Sequence, residues 1–311
     1  MHSIDRRKFL ASSIVGAGFA GVMNQALAID NAEVTPAIDC HTHFYSRHRK
    51  EGVLIPGKEL PADLKAVAAP LGITGTIVVE ASPVLENNQW LLDLAKDDSY
   101  VVGVVGNLSP GNEDFAKHLD HFAKNVHFRG IRVNHADLTT ALSKPLFLDD
   151  MKRLADHDLA LDVNGGPDMP ADVARLADKL PNLRIVINHA ANIDIDGAAP
   201  SDLWVRNMKA AAAHPRVFCK VSALVDQRGW EEGKAPAETS FYKPMLDAVW
   251  EIFGEDRLIY GSNWPVCEQY ASYRVVYNIV DDYLKSKSPA AREKFFAINS
   301  QVAYRWNKVR K

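Results

Sequence analysis

Short runs of apolar residues alternate along the chain with longer segments in which apolar positions recur every three or four residues. The short runs, such as Ile77-Val78-Val79, are typical of strands covered on both faces of a parallel sheet, and the longer segments are typical of amphipathic helices. The pattern predicts strands at residues 37–41, 75–80, 101–106, 128–133, 160–163, 184–188, 217–221 and 257–260. It predicts helices at residues 60–71, 85–96, 113–124, 145–157, 170–180, 203–213, 242–253 and 270–284.

Eight strand and helix pairs predict an α/β protein whose single domain is a (β/α)8 barrel at residues 37–311. Such barrels commonly run to about 250 residues, so this chain fits one barrel with appendages. Residues 289–306 are predicted to form an extra C-terminal helix packed on the outside of the barrel. The polar stretch 226–240, with two glycines and one proline, is predicted to be a long loop after the seventh strand.

The overall composition is that of an ordinary globular protein, with 47% hydrophobic residues, 24% charged residues and a net charge of -3. No basic patch and no interleaved aromatic platform is present, which excludes nucleic acid as an expected partner. The three cysteines are far apart in sequence and do not form a disulfide framework. We expect them to be buried thiols.

Residues 1–28 have the features of a twin-arginine-type export signal. Arg6-Arg7 precede an apolar run, and the segment ends in the small-residue site Ala26-Leu27-Ala28. A membrane anchor is the alternative, but the run is shorter than the ~20 residues that a spanning helix needs. We therefore expect cleavage near Ile29, a linker at 29–36, and a periplasmic protein with no stable membrane anchor.

The first predicted strand ends in a His-X-His pattern. Successive side chains of a strand leave on opposite faces, so His41 and His43 are expected to share one side. Barrel enzymes keep their chemistry at the C-terminal ends of the strands, where this pair lies. His189 follows the sixth strand, and a structural histidine is the alternative interpretation there. With three imidazoles and a water molecule, the site would match a catalytic zinc centre.

Polar residues also follow the fourth, seventh and eighth strands of the predicted barrel. They are Arg132, Asn134, Lys220, Ser222 and Asn263. Because parallel strands bring their C-terminal ends to one rim, we expect these side chains to line the same mouth as the histidines.

Five motifs resemble those of the amidohydrolase superfamily, and more narrowly its lactone hydrolases related to 2-pyrone-4,6-dicarboxylate hydrolase and sugar lactonases. They are Ile38-Asp39-Cys40-His41-Thr42-His43, Gly130-Ile131-Arg132, Asn188-His189, Phe218-Cys219-Lys220-Val221-Ser222 and Tyr260-Gly261-Ser262-Asn263-Trp264-Pro265-Val266-Cys267. The resemblance spans about residues 37 to 305. It implies a distorted (β/α)8 TIM barrel and hydrolysis of a cyclic ester.

This resemblance also implies roles for single residues. His41, His43 and His189 are expected to hold a divalent metal, with zinc first and no metal as the alternative. Arg132 is expected to bind a carboxylate of a small anionic substrate through its planar fork, with Asn134, Lys220 and Ser222 as further substrate-binding residues.

Asn263 departs from the family pattern, which has an aspartate as general base at this position. An amide has neither the charge nor a basic lone pair for that role. Three interpretations follow. A zinc held by the three histidines acidifies its own water, or Glu80 or Asp162 supplies the base, or catalysis is lost and the chain is a binding protein.

The sequence therefore predicts a metal-assisted hydrolase that opens a lactone or related ester of a carboxylate-bearing small molecule. The alternatives are a non-oxidative decarboxylase of the same superfamily and a non-catalytic small-molecule binding protein. The sequence predicts neither the identity of the substrate nor an oligomeric state.

Overall fold

The computed structural model describes residues 37–45, 60–227 and 230–307. The predicted export signal and linker, residues 1–36, lie outside these described residues. No helix within the described part of the chain is long and apolar enough to cross a membrane.

The described residues contain eight parallel strands that pair in chain order around a barrel. They are β1 (Ala37–Thr42), β2 (Ile73–Val79), β3 (Val101–Gly106), β4 (Phe128–Asn134), β5 (Ala160–Asn164), β6 (Arg184–Ile187), β7 (Val217–Val221) and β8 (Leu258–Tyr260). Backbone bonds join β1 to the segment after β8: Asn263 N donates to His41 O, and His43 N donates to Trp264 O, each at 2.8 Å. The predicted barrel is confirmed, and this junction lies at its C-terminal rim.

Helices separate the strands and cover the barrel. They are α1 (Pro61–Ala68), α2 (Glu86–Asp97), α3 (Phe115–Phe122), α4 (His135–Ala141), α5 (Pro145–Asp156), α6 (Met169–Lys179), α7 (Asp202–Ala212), α8 (Thr239–Phe253), α9 (Tyr273–Leu284), α10 (Pro289–Glu293) and α11 (Asn299–Tyr304). Helix α4 was not predicted, because it is short, contains two adjacent threonines and buries a single leucine, Leu138.

Two layers of apolar side chains make up the core. The outer layer packs strands against helices, and the inner layer fills the barrel from alternate strand positions. All three cysteines are buried, as expected. Apolar side chains thus fill the barrel and the interfaces between strands and helices, so the polar residues at the C-terminal strand ends are the candidates for a functional site.

The C-terminal segment closes the N-terminal end of the barrel. Helices α10 and α11 are joined by a π-helical turn at Lys294–Ile298. Arg184 Nε, at the start of β6, donates to Ala303 O at 2.7 Å, and Tyr304 Oη donates to Asp162 Oδ1 at 2.8 Å. The predicted extra helix is confirmed, but its expected position on the outside is wrong, because Tyr304 is fully buried among inner-layer side chains.

Candidate active site

Three histidines converge at the C-terminal rim of the barrel. The ring centroid of His41 lies 5.0 Å from that of His43 and 4.3 Å from that of His189. All three side chains are buried, with exposed fractions of 0%, 6% and 8%. The structure thus brings together the three residues that the sequence singled out, and we call them the histidine cluster.

The backbone around the histidine cluster is strained. His189 begins a run of left-handed residues that extends to Asn192, and Asn263 has a φ of 61°. Such conformations cost of the order of 1–3 kcal/mol for a residue other than glycine and concentrate at functional sites. Position 261, directly after β8, requires a glycine, because a Cβ atom there would lie 2.7 Å from the Cβ of His41.

Lys220 lies beneath His41 and is completely buried. Its Nζ donates to Asp162 Oδ2 at 2.5 Å and lies 3.3 Å from Nδ1 of His41. Burial lowers the pKa of Lys220, and Asp162 opposes that shift. An ammonium group has donors only, so Nδ1 of His41 accepts and the ring hydrogen lies on Nε2. The structure therefore places Lys220 as a support for His41, whereas the sequence interpretation made it a substrate ligand.

The other two histidines have partners of their own. Ser222 Oγ lies 2.8 Å from Nδ1 of His189, which makes Ser222 a support for that ring. His43 Nδ1 lies 2.9 Å from the carbonyl oxygen of Val79, and its Nε2 lies 3.1 Å from Asn263 Oδ1. His41 differs, because its buried Nε2 has no hydrogen-bond partner among the described residues.

The histidine cluster is neutral at pH 7. Burial lowers the pKa of His41 and His189 well below the usual value, and the nearby positive charge of Lys220 adds to the effect. Burial and the charge of Arg132 lower the pKa of His43 to about 3. Each ring therefore has one lone pair and one N–H at neutral pH, so His43 donates to only one of the two oxygens that face it, Val79 O or Asn263 Oδ1.

Asp226 is a site residue that the sequence interpretation missed. Asn263 Nδ2 donates to its Oδ2 at 2.6 Å, and its Oδ1 is buried with no hydrogen-bond partner in the described part of the chain. Burial raises its pKa to about 7. The available signal was weak: an acidic residue opening the loop after the seventh strand, where loops face the mouth of a barrel.

Arg132 lines an open cavity at the C-terminal rim of the barrel. Its Nε donates to Glu80 Oε1 at 2.8 Å and its Nη2 to Glu80 O at 2.7 Å, so one edge of the guanidinium is occupied. The cavity has a volume of about 540 Å³, and both residues line it together with Asn134. A substrate anion would meet the other edge of Arg132.

The histidine cluster fits a divalent metal by donor chemistry. Its rings are neutral, and Nε2 of His41 is an orphaned buried nitrogen. The arrangement, however, is not assembled for a metal: no group of three or more His, Cys, Asp or Glu in the described residues is placed to hold one. Binding would require Nε2 of His41 to lose its hydrogen and Nε2 of His43 to leave Asn263.

The barrel and its buried histidines define an α/β-barrel enzyme with a site of three histidines. The family model described as "Amidohydrolase" matches residues 38–306, and the chain belongs to this family. The resemblance drawn from the motifs is confirmed.

Two relatives and one solved structure are similar over most of the chain. An L-fucono-1,5-lactonase from Burkholderia ambifaria is 35% identical, covering 75% of this chain and 81% of that protein. An L-fucono-1,5-lactonase from Burkholderia multivorans is 27% identical, covering 82% and 90%. The crystal structure of an amidohydrolase from Burkholderia multivorans with bound zinc has a TM-score of 0.78 and 26% identity, covering 87% of this chain and 99% of that chain.

Proposed function

We propose that this protein opens the ring of a small, polar lactone, with lactones of sugar acids as the first class to test. The observation that carries the proposal is Nε2 of His41, a buried donor with no hydrogen-bond partner among the described residues. A lactone carbonyl oxygen is an acceptor that satisfies such a group. The names of the two relatives give independent support.

His41 is the residue that polarises the carbonyl. Lys220 holds its Nδ1, so the Nε2 hydrogen faces an acceptor as negative charge develops on the carbonyl oxygen. This donor is fixed before the reaction, in a site where burial strengthens the interaction. Ser222 Oγ lies 2.8 Å from Nδ1 of the neighbouring His189 and fixes the orientation of that ring.

Arg132 is the residue that recognises an anionic or hydroxylated part of the substrate. It lines the cavity of about 540 Å³, where the amide of Asn134 also lies. Glu80 pairs with the Nε and Nη2 edge of the guanidinium, which leaves Nη1 and the adjoining edge for a ligand.

A divalent metal, with zinc first, would take the place of the His41 hydrogen bond, because Nε2 of His41 would then hold the ion together with His43 and His189. When bound, the ion would supply Lewis acidity to a carbonyl oxygen or a water molecule. The support is the neutral donor set and the zinc in the related amidohydrolase. Elemental analysis of purified protein should find one equivalent per chain; its absence would remove the metal from the proposal and leave the lactone.

A panel of sugar-acid lactones, including L-fucono-1,5-lactone, tests the activity by acid release with a pH indicator. We expect saturable release above uncatalysed ring opening, and its loss in the His41→Asn variant. Wild-type protein that releases no acid from any lactone, but binds one by calorimetry, would contradict hydrolysis and favour a binding protein.

We also infer that the protein is exported to the periplasm by the segment at residues 1–28. The support is the Arg6-Arg7 pair and the site Ala26-Leu27-Ala28. Mass spectrometry of periplasmic protein should show a start near Ile29, and Arg6→Lys with Arg7→Lys should prevent export. An intact Met1 end in exported protein would contradict cleavage.

A further inference from the structure

Asp226 opens the loop after β7, at the same end of the barrel as the histidine cluster. Its Oδ2 accepts from Asn263 Nδ2 at 2.6 Å, and Asn263 Oδ1 lies 3.1 Å from Nε2 of His43. One amide therefore lies between this carboxylate and the cluster. The second oxygen, Oδ1, is buried with no hydrogen-bond partner in the described residues, although a buried carboxylate oxygen normally has one.

Other described carboxylates near the cluster have both oxygens engaged. The partners are Ser262, His41 and Tyr273 for Asp39, Lys220 and Tyr304 for Asp162, and Arg132 and Ser82 for Glu80. Glu80 and Asp162 were the bases suggested by sequence, and each is instead held in an ion pair. Both oxygens of each of these side chains already have hydrogen-bond partners, so neither presents a free oxygen to a water molecule.

We propose that Asp226 is the general base for ring opening, in place of the carboxylate that the family resemblance puts at position 263. This inference rests on the lactone hydrolysis proposed above. The amide of Asn263 orients Asp226 through Oδ2 and leaves Oδ1 for the attacking water. The proposed base therefore lies on the loop after β7 and not directly after β8, and Asn263 separates it from His43.

The proposed step balances as follows. Oδ1 of Asp226 takes one proton from a water molecule while the water oxygen forms a bond to the lactone carbonyl carbon. The ring C–O bond then breaks, and the departing ring oxygen takes the proton from Asp226. The product is the open hydroxy acid, which releases its proton to solvent, and Asp226 returns as carboxylate.

Burial supports this role by raising the pKa of Asp226 to about 7, against a smaller opposing effect of the Asn263 hydrogen bond. A general base is most effective when its pKa lies near the operating pH, because it is then both ionised and basic.

Exchanging the two side chains tests the inference. Asp226→Asn should lower kcat by about 10²–10⁴-fold, the usual contribution of a general base, with a smaller change in KM. The double variant Asp226→Asn/Asn263→Asp keeps one amide and one carboxylate in contact with their places exchanged. It should recover at least about tenfold of the lost kcat, since a base is again present beside the water. Glu232→Gln, an exposed acid of the same loop, is the matched control and should match wild type.

The outcomes separate this inference from the proposed function. An active wild type with an equally active Asp226→Asn, or a folded double variant no better than Asp226→Asn, would overturn the inference alone. If Asp226→Asn does not fold, the double variant alone is measured. Its kcat must then lie within about a hundredfold of the wild-type kcat, because the loss of a general base lowers kcat by at least about that factor. A wild type that opens no lactone would overturn the proposed function and this inference with it.

Discussion

The two halves of the barrel mouth differ in how firmly their polar groups are held. At β1 and β6 to β8, the histidine cluster is buried above a fully buried Lys220, and the backbone is strained at His189 and at Asn263. At β2 to β4, Arg132 and Asn134 line a cavity of about 540 Å³ and keep some exposure. Fixed groups in a dry environment suit bond making and breaking, whereas partly hydrated groups around a cavity suit substrate recognition. We call these the buried half and the open half.

The largest expected effect is the loss of the ion pair beneath the buried half. Lys220→Met leaves the buried carboxylate of Asp162 without its counter-charge, which typically costs about 3–5 kcal/mol. We expect the free energy of unfolding in urea to fall by that amount.

A second variant separates this charge effect from loss of packing. Lys220→Met/Asp162→Asn removes the stranded charge and keeps an acceptor for Tyr304, so it should regain at least half of the lost stability. Its activity should stay low, because Nδ1 of His41 has lost its donor. A Lys220→Met protein as stable as wild type would show that the buried half is not held by this pair.

A smaller effect is expected in the open half. Arg132→Lys keeps the charge but loses the planar fork, so an anionic substrate should bind more weakly by about 1.5–3 kcal/mol. Inhibition by the hydroxy-acid product measures this change. Arg175→Lys, an exposed arginine paired with Asp172, is the control. Unchanged inhibition of Arg132→Lys would make Arg132 a packing residue and remove the expected anion site.

The smallest effect concerns metal retention in the buried half. Asn263→Asp places a second carboxyl group against Asp226, 3.1 Å from the ring nitrogen of His43, and a bound cation would offset the repulsion between the two carboxylates. Metal loss to a chelator should therefore be slower than in wild type. Asn134→Asp adds the same charge in the open half and should leave the rate unchanged. Equal loss from all three proteins would mean that position 263 does not face a metal.

Periodicity was sufficient to predict the barrel, because strands covered on both faces and amphipathic helices differ in pattern. It did not place the C-terminal helices, since an apolar face shows that a helix is covered without showing what covers it. Tyr304 reaches Asp162 only because the chain passes under the barrel. Helix α4 was missed for the opposite reason, because it has too few buried positions to produce a pattern.

The site was predictable where it depends on strand ends. His41, His43 and Arg132 follow from position along a strand and from the face that alternation assigns. Depth of burial does not follow from the same information, so the sequence predicts Lys220 and Ser222 as substrate ligands, whereas the structure places them against His41 and His189. Asp226 depends on the path of a loop, and no local pattern shows that a loop residue contacts Asn263.

The most direct test of the division between the two halves is the kcat and KM of one variant from each half on the same lactone. His41→Asn removes the donor proposed to polarise the carbonyl and should lower kcat at least about a hundredfold, with KM little changed. Arg132→Lys should raise KM and leave kcat near the wild-type value. If both variants changed the same parameter, the separation of chemistry from recognition would be contradicted.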